Sequence, residues 1–138
     1  GGSLRSEAMK IGIPAIIYEA GPPLIFVERE IEEGVRGVRN VMVHLGMIES
    51  REKRTRSKRI ARSSWMRVPR GEAGIYLPIV HVGDRVKAGQ LMATVTDPVS
   101  DAVYRIVAED TGIVIGMALP QTVLSGYGIF HIGELAEP

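Results

Sequence analysis

The sequence contains no cysteine, which excludes a disulfide framework and any thiolate metal site. It also lacks a long hydrophobic run: nothing approaches the roughly 20 consecutive apolar residues that a membrane helix needs. The opening residues, Gly1-Gly2-Ser3-Leu4-Arg5, lack the apolar core of a secretory signal. These absences make the cytoplasm the expected compartment. Aromatic residues are scarce at 5%, and histidine occurs three times, so any aromatic platform or histidine-rich metal site must come from very few side chains.

What remains has the balance of a globular protein, with 45% apolar and 24% charged residues in 138, enough for one ordinary domain or two small pieces. The net charge of +1 conceals segregation. Residues 1–48 carry five basic and six acidic side chains. Residues 49–70 carry nine basic and two acidic, and residues 71–138 carry three basic and eight acidic. Three segments follow: 1–48, a basic linker over 49–62, and a region from 63 to 138.

In the first segment, Ser3 is placed to cap a short helix through Lys10 that stops at Gly12. Ile13-Pro14-Ala15-Ile16-Ile17-Tyr18 is a nearly continuous apolar run of the kind that suits a strand covered on both faces. Turn chemistry follows at Glu19-Ala20-Gly21-Pro22-Pro23. A longer helix is predicted from about Glu28 to Leu45, with Ile31, Val35, Val38, Met42 and Leu45 as its apolar stripe and Gly46 as its stop. Gly34 and Gly37 weaken such a helix, so close packing against a neighbour is expected there. A buried parallel strand needs partner strands, and none precedes this one. Residues 1–48 therefore read as the last portion of a larger α/β domain, and the chain as truncated. An unpaired apolar strand also invites association with another copy of the chain.

From about Ser63 the pattern is all-β. Short apolar stretches at Gly74–Val82, Gln90–Thr96, Ala102–Ala108, Gly112–Ala118 and Ile129–Ile132 alternate with turn residues. An internal repeat runs through them. Gly74-Ile75-Tyr76-Leu77 matches Gly112-Ile113-Val114-Ile115 at an offset of 38, and Val86-Lys87-Ala88-Gly89 matches Val123-Leu124-Ser125-Gly126 at an offset of 37. Two such halves predict a pseudo-twofold barrel or sandwich in which each half buries the other's apolar face. The stretch Gly83-Asp84-Arg85-Val86-Lys87-Ala88-Gly89-Gln90 resembles the turn of biotinyl and lipoyl carrier domains. Carriers bear a lysine at the hairpin joining their halves, whereas the connection from Thr96 to Asp110 contains none, and Lys87 reads as a solvated surface residue. The expectation is a barrel-sandwich hybrid without biotin or lipoate.

A wider resemblance spans nearly the whole chain. Gly12-Ile13-Pro14-Ala15-Ile16-Ile17-Tyr18-Glu19-Ala20-Gly21 resembles the "GIPAITVExG" strand of the succinylglutamate desuccinylase/aspartoacylase family. Val35-Arg36-Gly37-Val38-Arg39-Asn40-Val41-Met42-Val43-His44-Leu45-Gly46-Met47 resembles that family's final catalytic-domain helix. Trp65-Met66-Arg67-Val68-Pro69, the Gly83 turn, Thr96-Asp97-Pro98 and Gly112–Gly116 resemble its C-terminal β domain. The resemblance implies α+β architecture: a remnant of a carboxypeptidase-like α/β domain followed by the β domain. It implies a zinc-dependent parent that hydrolyses an N-acyl amino acid or similar small amide, with zinc held by a His-x-x-Glu pair and a later His upstream of this chain. It assigns Glu19 as the general base, which takes a proton from water and passes it to the leaving amine. No metal ligand is expected within the chain, which alone would be inactive. Pro22-Pro23 departs from the family's usual glycines, leaving the substrate class open.

Other motifs have plainer readings. His131-Ile132-Gly133-Glu134 spells His-x-x-Glu but lies in a terminal strand with no later His. His81-Val82-Gly83-Asp84 enters a surface turn, and His44 falls in the last turn of the long helix, where the dipole favours it. Tyr104 and Tyr127 read as β-domain packing, with a substrate channel as the alternative setting. Arg51, Lys53, Arg54, Arg56, Lys58, Arg59 and Arg62 cluster within 12 residues, which raises the alternative of a non-catalytic β-barrel binding or assembly module whose basic arm docks an acidic partner or nucleic acid. Against nucleic acid, no aromatic residue interleaves with these charges. Trp65 follows them and reads as an anchor of the β domain.

Overall fold

The computed structural model describes residues 2–51 and 57–136. The chain divides into two compact units, Gly1–Thr55 and Arg56–Pro138.

The first unit contains two helices, α1 (Leu4–Lys10) and α2 (Glu28–His44). The Ser3 hydroxyl accepts from the Ser6 amide at 3.1 Å and caps α1. Both helices end in the same way. Gly12 and Gly46 adopt left-handed φ of +78° and +68°. The Ile13 amide then reaches the Ala8 carbonyl at 2.9 Å, and the Met47 amide reaches the Met42 carbonyl at 2.9 Å. That six-to-one bond, with its inner partner, satisfies carbonyls a helix end leaves open. The expected strand at Ile13–Tyr18 does not form: these residues lie outside any strand or helix. A strand exists by its ladder, and the described part of this unit offers no second strand to pair with. No residue of α1 or α2 is buried, and the predicted stripe of α2 stays open to solvent, with Ile31 at 49% and Val38 at 62% exposure.

The second unit is entirely β. Its strands are β1 (Ile60–Arg67), β2 (Gly74–Pro78), β3 (Arg85–Val86), β4 (Leu91–Thr96), β5 (Val103–Val107), β6 (Gly112–Met117), β7 (Thr122–Val123) and β8 (Gly128–Leu135). They form two four-stranded antiparallel sheets, ordered β1-β8-β6-β3 and β5-β4-β2-β7. The arrangement is two open sheets, not a closed barrel. The ladder begins at Ile60, so Ile60, Ala61 and Arg62 of the basic segment belong to β1. Tyr76 from one sheet meets Phe130 from the other edge-on, with ring centroids 5.8 Å apart. Around this pair, Met92, Val95, Ile106, Val114 and Ile132 complete a single core.

The repeat read in the sequence is the symmetry of this unit. Strand β2 pairs with β4 as β6 pairs with β8, while each half lends its two-residue strand to the other: β3 pairs with β6, and β7 with β2. Isolated hydrogen bonds repeat as well. Gly89 donates to the Ala108 carbonyl at 2.8 Å, and its counterpart Gly126 donates to the Val68 carbonyl at 2.9 Å. Because the halves exchange strands, neither can close its sheet without the other.

Candidate functional site

Glu19, the residue singled out in the sequence, lies in the first unit between α1 and α2, with an exposed side chain. It makes no hydrogen bond or ion pair among the described residues, so its carboxylate is placed by the backbone on either side. Directly before it, the Tyr18 hydroxyl donates to the Glu30 carbonyl at 2.5 Å, in the first turn of α2. The Tyr18 ring lies on Gly34: a Cβ built there would stand 2.9 Å from Tyr18 Cε1. Gly34 thus has the close neighbour that an interior helix glycine suggests, whereas Gly37 has none within 4 Å of the corresponding position. Two residues after Glu19, Gly21 takes φ of +78° and comes against Val27 and Glu30. The chain directly before Glu19 is therefore tied to the first turn of α2. Nothing in the sequence marks Tyr18 by itself; the available signal is an aromatic beside the candidate base together with a glycine inside a helix.

The histidines are spread apart. In β8, His131 stacks on Trp65 of β1 at 4.4 Å, nearly parallel at 12°, and its Nε2 lies 2.9 Å from the Ser63 hydroxyl. Glu134 instead pairs with Arg62. Residues three apart on a strand point to opposite faces, so this His-x-x-Glu does not converge on one point. At the β2–β3 turn, the Asp84 carboxylate accepts from the His81 amide at 2.8 Å, and its distance to His81 Nδ1 is 4.0 Å. The Asp84 amide donates back to the His81 carbonyl at 3.1 Å, so the pair closes the turn reciprocally. Among the described residues, no three His, Asp or Glu side chains gather as a metal site. The residues present do not fit the zinc that the resemblance implies.

Elsewhere, Tyr104 is half-buried against the core, and Tyr127 is 44% exposed in the turn before β8. Trp65 is 54% exposed, with its ring against Gly128 and His131. Lys87 is exposed in its turn; the neighbouring Gln90 side chain accepts from its amide at 3.0 Å. At the β4–β5 connection, Asp97 accepts from the Ser100 hydroxyl at 2.6 Å and the Val99 amide at 2.9 Å. Of the basic cluster, Arg51, Lys58 and Arg59 are exposed and Arg62 is paired, while Lys53, Arg54 and Arg56 lie outside the described residues. No helix among the described residues is long and apolar enough to cross a membrane.

Two helices followed by a pair of strand-exchanged antiparallel sheets define the fold as α+β. No protein-family model matches the sequence, and no curated protein matches it. Solved structures do share its fold. A succinylglutamate desuccinylase/aspartoacylase from Rhodobacter sphaeroides superposes with a TM-score of 0.87 at 22% identity, covering 100% of this chain and 45% of that one. The product-bound ectoine utilization protein EutE from Ruegeria pomeroyi gives 0.85 at 20% identity over 96% of this chain and 42% of its own. A succinylglutamate desuccinylase from a Silicibacter species gives 0.84 at 20% identity over 98% and 42%. The chain has the fold of the C-terminal part of succinylglutamate desuccinylase/aspartoacylase structures and spans less than half their length. The resemblance read from Gly12–Gly21, from Val35–Met47 and along the β region is thus matched by an independent likeness of fold.

Proposed function

We propose that this chain is the C-terminal part of a hydrolase that cleaves the amide of a small N-acyl amino acid or a similar compound, with Glu19 as its general base. The observation that carries the reading is the TM-score of 0.87 over the full chain against a succinylglutamate desuccinylase/aspartoacylase, together with the Glu19 motif of the resemblance. In this role the Glu19 carboxylate accepts a proton from the attacking water and delivers it to the departing amine nitrogen. Carboxyl ends of strands in open α/β sheets are common places for such groups, and residues 13–18 would gain that strand on pairing with the rest of the protein. The exposed stripe of α2 supports the same view, since an amphipathic helix stabilises little until its apolar face is covered.

The zinc implied by the resemblance would take its ligands from the rest of the full-length protein, and this chain alone would be inactive. The β unit is then a barrel-sandwich hybrid of the biotinyl and lipoyl kind, carrying neither cofactor, and the protein is cytoplasmic.

The test is amine release from a panel that includes N-acetyl-aspartate and N-succinyl-glutamate, comparing the full-length gene product with residues 1–138 alone. Turnover of at least one N-acyl amino acid by the full-length protein and none by the chain alone is expected. A full-length product inert toward every N-acyl amino acid would overturn the assignment.

A further inference from the structure

We infer that Tyr18, seated on Gly34, is a positioning residue that fixes the Glu19 carboxylate; the inference rests on the reading of Glu19 as general base. Three observations lead to it. Glu19 has no side-chain partner among the described residues, so its carboxylate depends on how the backbone beside it is held. The preceding residue is held at two points of α2, by its hydroxyl on the Glu30 carbonyl at 2.5 Å and by its ring over Gly34. That seat exists because Gly34 has no side chain: the Cβ of any other residue would stand 2.9 Å and 3.2 Å from two ring carbons. On the far side, Gly21 takes φ of +78°, and a side chain built on it would meet Val27 and Glu30 at 3.7 Å and 3.8 Å. The carboxylate thus follows directly on a residue fixed at two points of one helix.

A general base works only within hydrogen-bond reach of the proton it takes, and misplacement by about 1 Å costs roughly 100-fold in rate. Losing the Tyr18 anchor should therefore lower kcat while leaving substrate affinity in place.

Two substitutions in the full-length protein test this, using whichever N-acyl amino acid of the panel it turns over. Tyr18→Phe removes the hydroxyl bond and keeps the ring, and is expected to lower kcat roughly 10-fold, with KM within about 2-fold. Gly34→Ala pushes the ring off its seat and is expected to lower kcat by about 100-fold. Alanine also favours the helix, so the thermal midpoint should hold or rise. A merely structural role predicts the opposite pairing, with stability and rate falling together. Both changes are then repeated on Glu19→Gln, where a residue acting through Glu19 should cost nothing further. If Glu19→Gln is crippled and Tyr18→Phe and Gly34→Ala keep full kcat, or their losses add undiminished to that of Glu19→Gln, the positioning role is wrong and the base survives. If Glu19→Gln keeps full kcat, both readings fall.

Discussion

Asp97 closes the β4–β5 connection on itself. Its carboxylate accepts from the Ser100 hydroxyl and the Val99 amide, and Asp101 beside it takes a left-handed φ of +57°. These bonds, first that from the Ser100 hydroxyl and then those from the backbone amides, hold the Asp97 carboxyl below its ordinary value. A carboxylate depressed in the folded state contributes stability above the unfolded value of about 3.9, and that stability is lost as pH falls through the folded value. Asp97→Ala is therefore expected to lower the thermal midpoint at pH 7, with the gap from the parent closing as the pH is taken below about 4. A gap independent of pH would mean that turn geometry, rather than the charge, carries the effect. Tyr76 is a different case: it is 1% exposed, its hydroxyl has no partner among the described residues, and burial pushes its phenol upward, so it stays neutral in the core.

At the scale of the elements, Gly112 and Gly74 permit the close strand pairing within each half. A Cβ on Gly112 would stand 2.6 Å from the Gly133 carbonyl oxygen, and one on its repeat counterpart Gly74 would overlap the Thr96 carbonyl oxygen. The obstacles are backbone atoms of the paired strands β8 and β4, which cannot swing aside. Gly112→Ala is expected to destabilise the fold by about 1–3 kcal/mol, measured by denaturant unfolding. A loss well under that range would show that the β6–β8 pair can spread to accept a methyl group. Much of this level was legible beforehand. The helices announced themselves through Ser3, Gly12, Gly46 and the α2 stripe, because capping and periodicity are local. Five of the strands and the repeat were legible for the same reason. The two-residue strands β3 and β7 were not, since they are defined by partners in the other half rather than by their own residues. Nor was the start of β1 at Ile60, where basic side chains that suit a linker also suit an edge strand facing water. Ile13–Tyr18 failed in the other direction: it has the composition of a strand, but composition supplies no partner.

At the scale of the molecule, the buried core among the described residues belongs to the β unit, from Met66 to Ile132, while the unit bearing Glu19 buries no residue of its helices. The part proposed for catalysis is thus the part with the least buried support of its own. The candidate site was legible in the sequence only through the resemblance around Glu19: an exposed glutamate after an apolar run looks like any surface carboxylate. Its anchor was half-legible, because Gly34 marked a close approach without naming Tyr18. The most direct test of the central claim is kcat of the full-length protein against its preferred N-acyl amino acid, compared with that of Glu19→Gln. The isosteric amide keeps shape and removes the base. The account predicts a fall of about 100- to 10,000-fold, with unchanged circular dichroism and thermal midpoint. A Glu19→Gln enzyme within about 2-fold of the parent would contradict it, because no general base contributes so little.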